Sequence, residues 1–157
     1  MPVARRTILA GAALPRVALA SGEPCLEIGG AIAPPAPRRL TLSEIEALGA
    51  ADLRTRTPWT VGPQHFSGLP LRRLLDAVES RGNLITASAL NDYAFTSPIQ
   101  ELLDSDAFLA TRLDGTPVPV RLRGPFWIVF PWSRRPELET PTNRRRAVWQ
   151  LSRLEIH

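Results

Sequence analysis

The chain has 157 residues, 44% of them hydrophobic and 22% charged, a size and balance that suit one globular domain with one core. All 19 basic residues are arginine, set against 15 acids for a formal charge of +4; 3 of the arginines lie in the acid-free first twenty residues, so the remainder carries only +1. That balance disfavours a nucleic-acid-binding module, which would rest only on the clusters Arg134-Arg135 and Arg144-Arg145-Arg146; the apolar content excludes a disordered chain, and one cysteine with two histidines excludes an internal disulfide and a structural zinc set.

Residues 1–20 read as an export signal. Arg5-Arg6, an apolar stretch over 7–14, and Ala18-Leu19-Ala20 before Ser21 give the basic, apolar and small-residue cleavage regions of a leader. The stretch is too short to cross a bilayer. Arg5-Arg6-Thr7-Ile8-Leu9 is twin-arginine-like, and the late Arg16 suits that route. The alternative is an amphipathic N-terminal helix docked on the domain, against which Pro15 and Arg16 interrupt the apolar run. Residues 21–157 then form the single domain, exported to the periplasm or otherwise out of the cytoplasm, with no transmembrane span.

Within the domain, 26–32 reads as a strand broken by Gly29-Gly30, preceded by Cys25 as a small buried hydrophobe, and Pro34-Pro35-Ala36-Pro37 as an extended linker. Ser43 is placed to cap a short helix over 44–48, with Glu46 at the capping-box position and Gly49 as its stop. A β-leaning run over 53–61, the Gly62-Pro63 turn and His65-Phe66-Ser67 predict a hairpin. Pro70 opens a helix with Leu71, Leu74, Leu75 and Val78 on one face and Gly82 as its stop. Strands are expected over 84–90 and 93–96, then a brief helix from Ser97-Pro98 to 103. Segments 108–113 and 117–122 flank Asp114-Gly115, a hairpin signal. The run Phe126-Trp127-Ile128-Val129-Phe130 predicts a strand covered on both faces, and 147–156 a closing strand; Arg134-Arg135 and Arg144-Arg145-Arg146 read as solvated loop charges. Many short strands with a few short helices and no βαβ alternation indicate an α+β or mostly β domain.

The order of several segments resembles the molybdopterin-binding domain of the sulfite oxidase family, in particular its small exported bacterial members. These segments are Phe66-Ser67-Gly68-Leu69-Pro70-Leu71 with Leu74-Leu75, Ala89-Leu90-Asn91-Asp92-Tyr93, Leu109-Ala110 with Asp114-Gly115-Thr116-Pro117-Val118, Pro125-Phe126-Trp127-Ile128-Val129-Phe130-Pro131, and Leu151-Ser152-Arg153-Leu154-Glu155-Ile156. The resemblance implies an α+β fold of mixed curved β-sheets with short helices, the sulfite-oxidase-type fold, and a cofactor pocket built from loops at one end. It also implies a cysteine thiolate on molybdenum, a soft ligand suited to that metal. With Trp59 on the family's tryptophan, Thr55 falls at the cysteine position, Trp127 at an anion-binding arginine, Leu122-Arg123 near a His-Gly pair and Trp149 at a lysine.

Each marked residue carries two readings. Trp59, Trp127, Trp132 and Trp149 suit core packing; the functional alternative is an aromatic-lined cleft in place of a phosphate-lined one. Asn91, Asp92 and Tyr93 form either a plain turn or a loop facing the pocket. Arg54, Arg56 and Arg123 flank the changed positions, as solvated charges or as bidentate anion contacts, and His65 lacks an acid partner in the sequence pattern. The ligand-binding candidates are therefore Arg54, Thr55, Arg56, Trp59, Asn91, Asp92, Tyr93, Arg123 and Trp127, with no metal ligand and no assigned catalytic residue. No cofactor is expected, although the resemblance leaves molybdopterin open. The partner expected is a small anionic or aromatic ligand or a periplasmic protein, not nucleic acid. Two functions compete: a noncatalytic binding or interaction module that has lost molybdenum–thiolate ligation, and an active molybdopterin-dependent oxidoreductase with an unusual ligand set.

Overall fold

A computed structural model describes residues 22–157; the export signal expected over residues 1–20 lies outside the described residues. In chain order the elements are β1 (Cys25–Gly30), β2 (Arg38–Thr41), α1 (Leu42–Ala47), β3 (Ala51–Thr55), β4 (Gln64–Pro70), α2 (Leu71–Ala77), β5 (Leu84–Ala89), β6 (Ala94–Pro98), α3 (Ile99–Asp104), β7 (Phe108–Leu113), β8 (Thr116–Pro117), β9 (Trp127–Val129), α4 (Pro141–Arg146) and β10 (Leu151–Ile156). Short 3₁₀ turns occupy Val120–Leu122 and Pro136–Leu138. No helix among the described residues is long and apolar enough to cross a membrane.

The strands form two sheets. One runs β2-β1-β10-β5-β6, with β1 and β10 parallel and the other pairs antiparallel; the second runs β3-β4-β7-β8, with β9 also paired to β7. Alternation decides what each strand buries. Leu26 and Ile28 of β1, Ile85, Ala87 and Ala89 of β5, and Leu151, Leu154 and Ile156 of β10 enter one continuous core with Phe66, Leu69 and Leu109 of the second sheet. Close strand approach also matters, because a Cβ at Gly68 of β4 would collide with the Leu109 carbonyl of β7. This is the mixed-sheet α+β architecture that the sequence order implied.

Several local expectations are corrected. Thr41, not Ser43, caps α1: its hydroxyl accepts from Glu44 N–H at 3.2 Å while Glu44 returns to Thr41 N–H at 2.8 Å. Glu46 instead turns inward along the sheet to pair with Arg112 at 2.6 Å. The helix α2 stops before Gly82, at Glu79, which adopts φ 50° while Glu79 and Ser80 N–H groups satisfy the Asp76 and Leu75 carbonyls. Past Pro117 the expected strand gives way to a 3₁₀ turn, since Pro117 and Pro119 supply no N–H to a ladder. Cys25 is half-exposed rather than buried, because the alternation that turns Leu26 and Ile28 inward leaves it on the outer face with Glu27. The run 126–130 is buried throughout, as anticipated, but only Trp127–Val129 pairs as strand, with β7. On its other side Ile128 N–H donates to the Val148 carbonyl and Leu151 N–H to the Phe126 carbonyl, so this segment joins the two sheets.

Candidate functional site

Three loops and one short helix meet beside the start of β10. Gln150, at φ 50°, ties them together: its N–H donates to the Arg123 carbonyl at 2.8 Å, its carbonyl accepts from Leu90 N–H at 2.8 Å, and its amide nitrogen donates to the Val120 carbonyl at 3.0 Å. Helix α4 is capped by Thr140, which accepts from Asn143 N–H at 3.1 Å, with Pro141 in its first turn. Asn143 Nδ2 and Trp132 Nε1 both donate to the Leu138 carbonyl, at 2.9 and 3.3 Å, which fixes α4 against the β9 end of the core.

All four tryptophans gather here. Trp59 lies 5.1 Å from Trp149, 5.9 Å from Trp132 and 6.0 Å from Trp127 between ring centroids, with edge-on or tilted planes. Trp127 is 1% exposed, packs edge-on to Phe66 at 5.4 Å, and its Nε1–H has no acceptor among the described residues. The Arg123 guanidinium stacks 5.4 Å from the Trp127 ring and 5.5 Å from Trp149, a shared cation–π position. Arg123 reaches it from φ 79°, at the end of the 3₁₀ turn.

Thr55 ends β3 with its side chain facing the core and 0% exposed. Its Oγ1 donates to the Arg56 carbonyl at 2.9 Å and accepts from Ser133 N–H at 3.0 Å; Arg56 N–H in turn donates to Ser133 Oγ at 2.8 Å. The hydroxyl is thus a clasp between the β3 end and the segment after Trp132. The guanidinium of Arg56 faces Glu139 at 3.7 Å, and Glu139 also accepts from Arg144 at 2.9 Å.

Next to the tryptophans lies a cleft of about 260 Å³. Buried Ala89, Ala147 and Val148 give its apolar lining, Tyr93 and Trp149 its aromatic lining, and Asn91, Arg144 and Arg145 its polar lining. Tyr93 O–H donates to the Arg145 carbonyl at 2.9 Å, and burial holds its phenol above the ordinary tyrosine value against the opposing pull of Arg145. Asn91 Oδ1 accepts from Tyr93 N–H at 3.2 Å, a local turn bond.

Of the sequence candidates, Thr55, Trp59, Arg123 and Trp127 are thus brought together around the tryptophans, and Asn91 and Tyr93 line the adjacent cleft, with Trp149 common to both groups. Arg56 joins at the periphery through Glu139. Two candidates stand elsewhere: Arg54 is exposed on the outer face of β3 opposite His65, and Asp92, at φ 66°, forms the turn without lining the cleft. His65 does have a carboxylate neighbour, Asp52 at 3.2 Å, but Ser67 donates to the same oxygen at 2.9 Å, so no serine–histidine pair exists there. Sequence reasoning missed Arg144, Arg145 and Val148. The Thr140-Pro141 helix start followed by Ala147-Val148 was the available signal.

The residues present do not fit a thiolate-held molybdenum group. The position that the resemblance gives to the thiolate holds a hydroxyl already engaged on both sides by protein, and a protonated hydroxyl is no soft donor. Cys25 sits on the outer face of β1, and the described residues contain no group of three or more His, Cys, Asp or Glu able to hold a metal. Trp127 and Trp149 occupy the places where cationic side chains were implied.

No protein-family model matches the chain, and no curated protein matches it. Among solved structures, the sulfane dehydrogenase SoxCD from Paracoccus pantotrophus aligns over 85% of this chain with a TM-score of 0.61 and 16% identity. The aligned chain spans 38% of the SoxCD chain. That likeness shows the fold, the sulfite-oxidase type of α+β domain.

Proposed function

We propose that this chain is a noncatalytic binding module on a sulfite-oxidase-type fold, in which molybdenum–thiolate ligation has been lost and an aromatic, arginine-lined cleft serves as the ligand site. The observation that carries this reading is Thr55: its buried hydroxyl closes a backbone clasp between Arg56 and Ser133, and a protonated hydroxyl offers a metal neither the charge nor the softness of a thiolate. The four tryptophans support it, since they fill with apolar surface the region where a charged cofactor would need cationic contacts.

The proposal extends to location. The Arg5-Arg6 leader pattern supports export of the folded domain, and the module would meet its ligand or protein partner outside the cytoplasm. Metal analysis of wild-type protein and of Thr55→Cys, both purified from cells that make molybdopterin, tests the reading. Wild type should carry no molybdenum, and Thr55→Cys at most a fraction of one per chain, because Trp127 and Trp149 still stand where charge-assisted contacts are required. A fully loaded wild type would instead establish the competing enzyme reading, a molybdopterin-dependent oxidoreductase with an unusual ligand set.

A further inference from the structure

The cleft beside Trp149 has one consistent chemical character. Its apolar base is buried, its two larger surfaces are aromatic, and every charged group lining it is an arginine. Arg144 is held by Glu139 at 2.9 Å, whereas Arg145 has no carboxylate within 4.0 Å among the described residues and only the Phe95 ring beneath it, at 6.0 Å. The amide nitrogen of Asn91 also has no partner among the described residues, its oxygen being engaged with Tyr93 N–H. The cleft surface is therefore mainly apolar, and its lining residues include one arginine side chain, Arg145, and one amide nitrogen, that of Asn91, that are unpaired among the described residues, with no carboxylate beside them.

Both aromatic surfaces are fixed before any ligand arrives. Trp149 is braced by the edge of Trp59 at 5.1 Å and by Arg123 at 5.5 Å, and Tyr93 is pinned by its O–H bond to Arg145. Pre-set surfaces reduce the ordering cost of binding. At about 260 Å³ the space is below the roughly 300–1,000 Å³ of sites for drug-sized ligands, so its occupant is small.

We infer that this cleft binds a small aromatic carboxylate, with one or two fused rings against Trp149, Tyr93 and Val148 and the carboxylate paired to the Arg145 guanidinium. The inference rests on the binding-module reading and adds the ligand class to it. A planar guanidinium recognises a carboxylate through two parallel N–H bonds.

Calorimetric titration of the full chain with 2-naphthoate, beside the neutral 2-naphthalenemethanol, tests it. The acid should bind saturably at one site per chain, and the alcohol about tenfold more weakly, the scale of one charge-assisted contact. Arg145→Met should remove that tenfold preference while leaving the alcohol unchanged, Arg145→Lys should fall between, and Arg121→Met, outside the cleft, should bind like wild type. Tyr93→Phe keeps the ring but removes its pin, so it should weaken acid and alcohol by the same factor and leave the preference for the acid unchanged. Absence of saturable 2-naphthoate binding at millimolar concentration, equal binding of acid and alcohol, or an unchanged Arg145→Met would each overturn the inference. Molybdenum content, read on the same preparation, reports separately on the underlying reading: metal-free protein that ignores 2-naphthoate refutes only the ligand class, and molybdenum-loaded protein refutes the module.

Discussion

Replacing Thr55 by Val isolates the clasp at the end of β3. Valine matches threonine in branching and strand preference, so a methyl replaces Oγ1 and the change removes the hydroxyl's hydrogen bonds. Two bonds vanish, at 2.9 Å to the Arg56 carbonyl and 3.0 Å from Ser133 N–H. Each such bond contributes about 1 kcal/mol net, and a buried group left without a partner costs about 1–3 kcal/mol. Both partners belong to exposed residues, Ser133 and Arg56, so water can reach them once Oγ1 is gone, and the loss stays near that of the two bonds themselves. The sum is about 2 kcal/mol of destabilisation, or about 4–8 °C in Tm for a chain of this length. Urea unfolding with an unchanged m-value is the assay, with Thr55→Ser as the companion that restores the hydroxyl and loses only a methyl group. A Thr55→Val protein within about 0.5 kcal/mol of wild type, the range of ordinary surface changes, would refute the structural role assigned to this hydroxyl.

Ile128→Ala, at the centre of the buried run that joins the two sheets and 1% exposed, should cost about 2–5 kcal/mol through the cavity it leaves, measured by the same unfolding; a loss under about 0.5 kcal/mol would place this segment outside the core. Glu23 is held below the ordinary glutamate value first by the Ser43 hydroxyl and then by the Ser43 N–H. A carboxyl depressed in the folded state contributes stability above its unfolded pKa and loses it as pH falls through the folded one. Ser43→Ala should therefore raise the Glu23 midpoint in a carbon-13 NMR titration and make the acid-side loss of stability shallower. Intact mass of protein recovered from the cell envelope should correspond to a chain starting near Ser21, and Arg5-Arg6→Lys-Lys should block export; an envelope form that retains residues 1–20 contradicts the leader reading.

Much of the strand and helix order was legible because the alternation in β1, β5 and β10 and the 3.6 spacing of Leu71, Leu74 and Leu75 are direct images of burial, whereas the short β2 and α4 carry no such pattern and were not anticipated. Helix ends were less so. Glu79 and Asp106 take left-handed φ values to close α2 and α3, a role that sequence rules assign to glycine or asparagine and that here is carried by backbone hydrogen bonds to the preceding turn. The tryptophan cluster could be anticipated as residues but not as a cluster, because Trp59 meets Trp149 only through the joining of the two sheets. Arginine 145 was invisible as a cleft residue for a related reason. A run of three arginines reads as a solvated charge patch until α4 is seen to turn the Arg146 side chain toward Glu101, that of Arg144 toward Glu139 and that of Arg145 over Phe95, while the Arg145 carbonyl accepts from Tyr93 O–H.

The proposed function rests on a structural hydroxyl, Thr55, at the position where the resemblance implies a metal-binding thiolate. The most direct measurement is the molybdenum-to-protein ratio, by inductively coupled plasma mass spectrometry, of wild-type chain purified from molybdopterin-producing cells. The account predicts a ratio indistinguishable from zero, because the Thr55 hydroxyl is protonated, buried and already bonded on both sides. A ratio near one molybdenum per chain would contradict it.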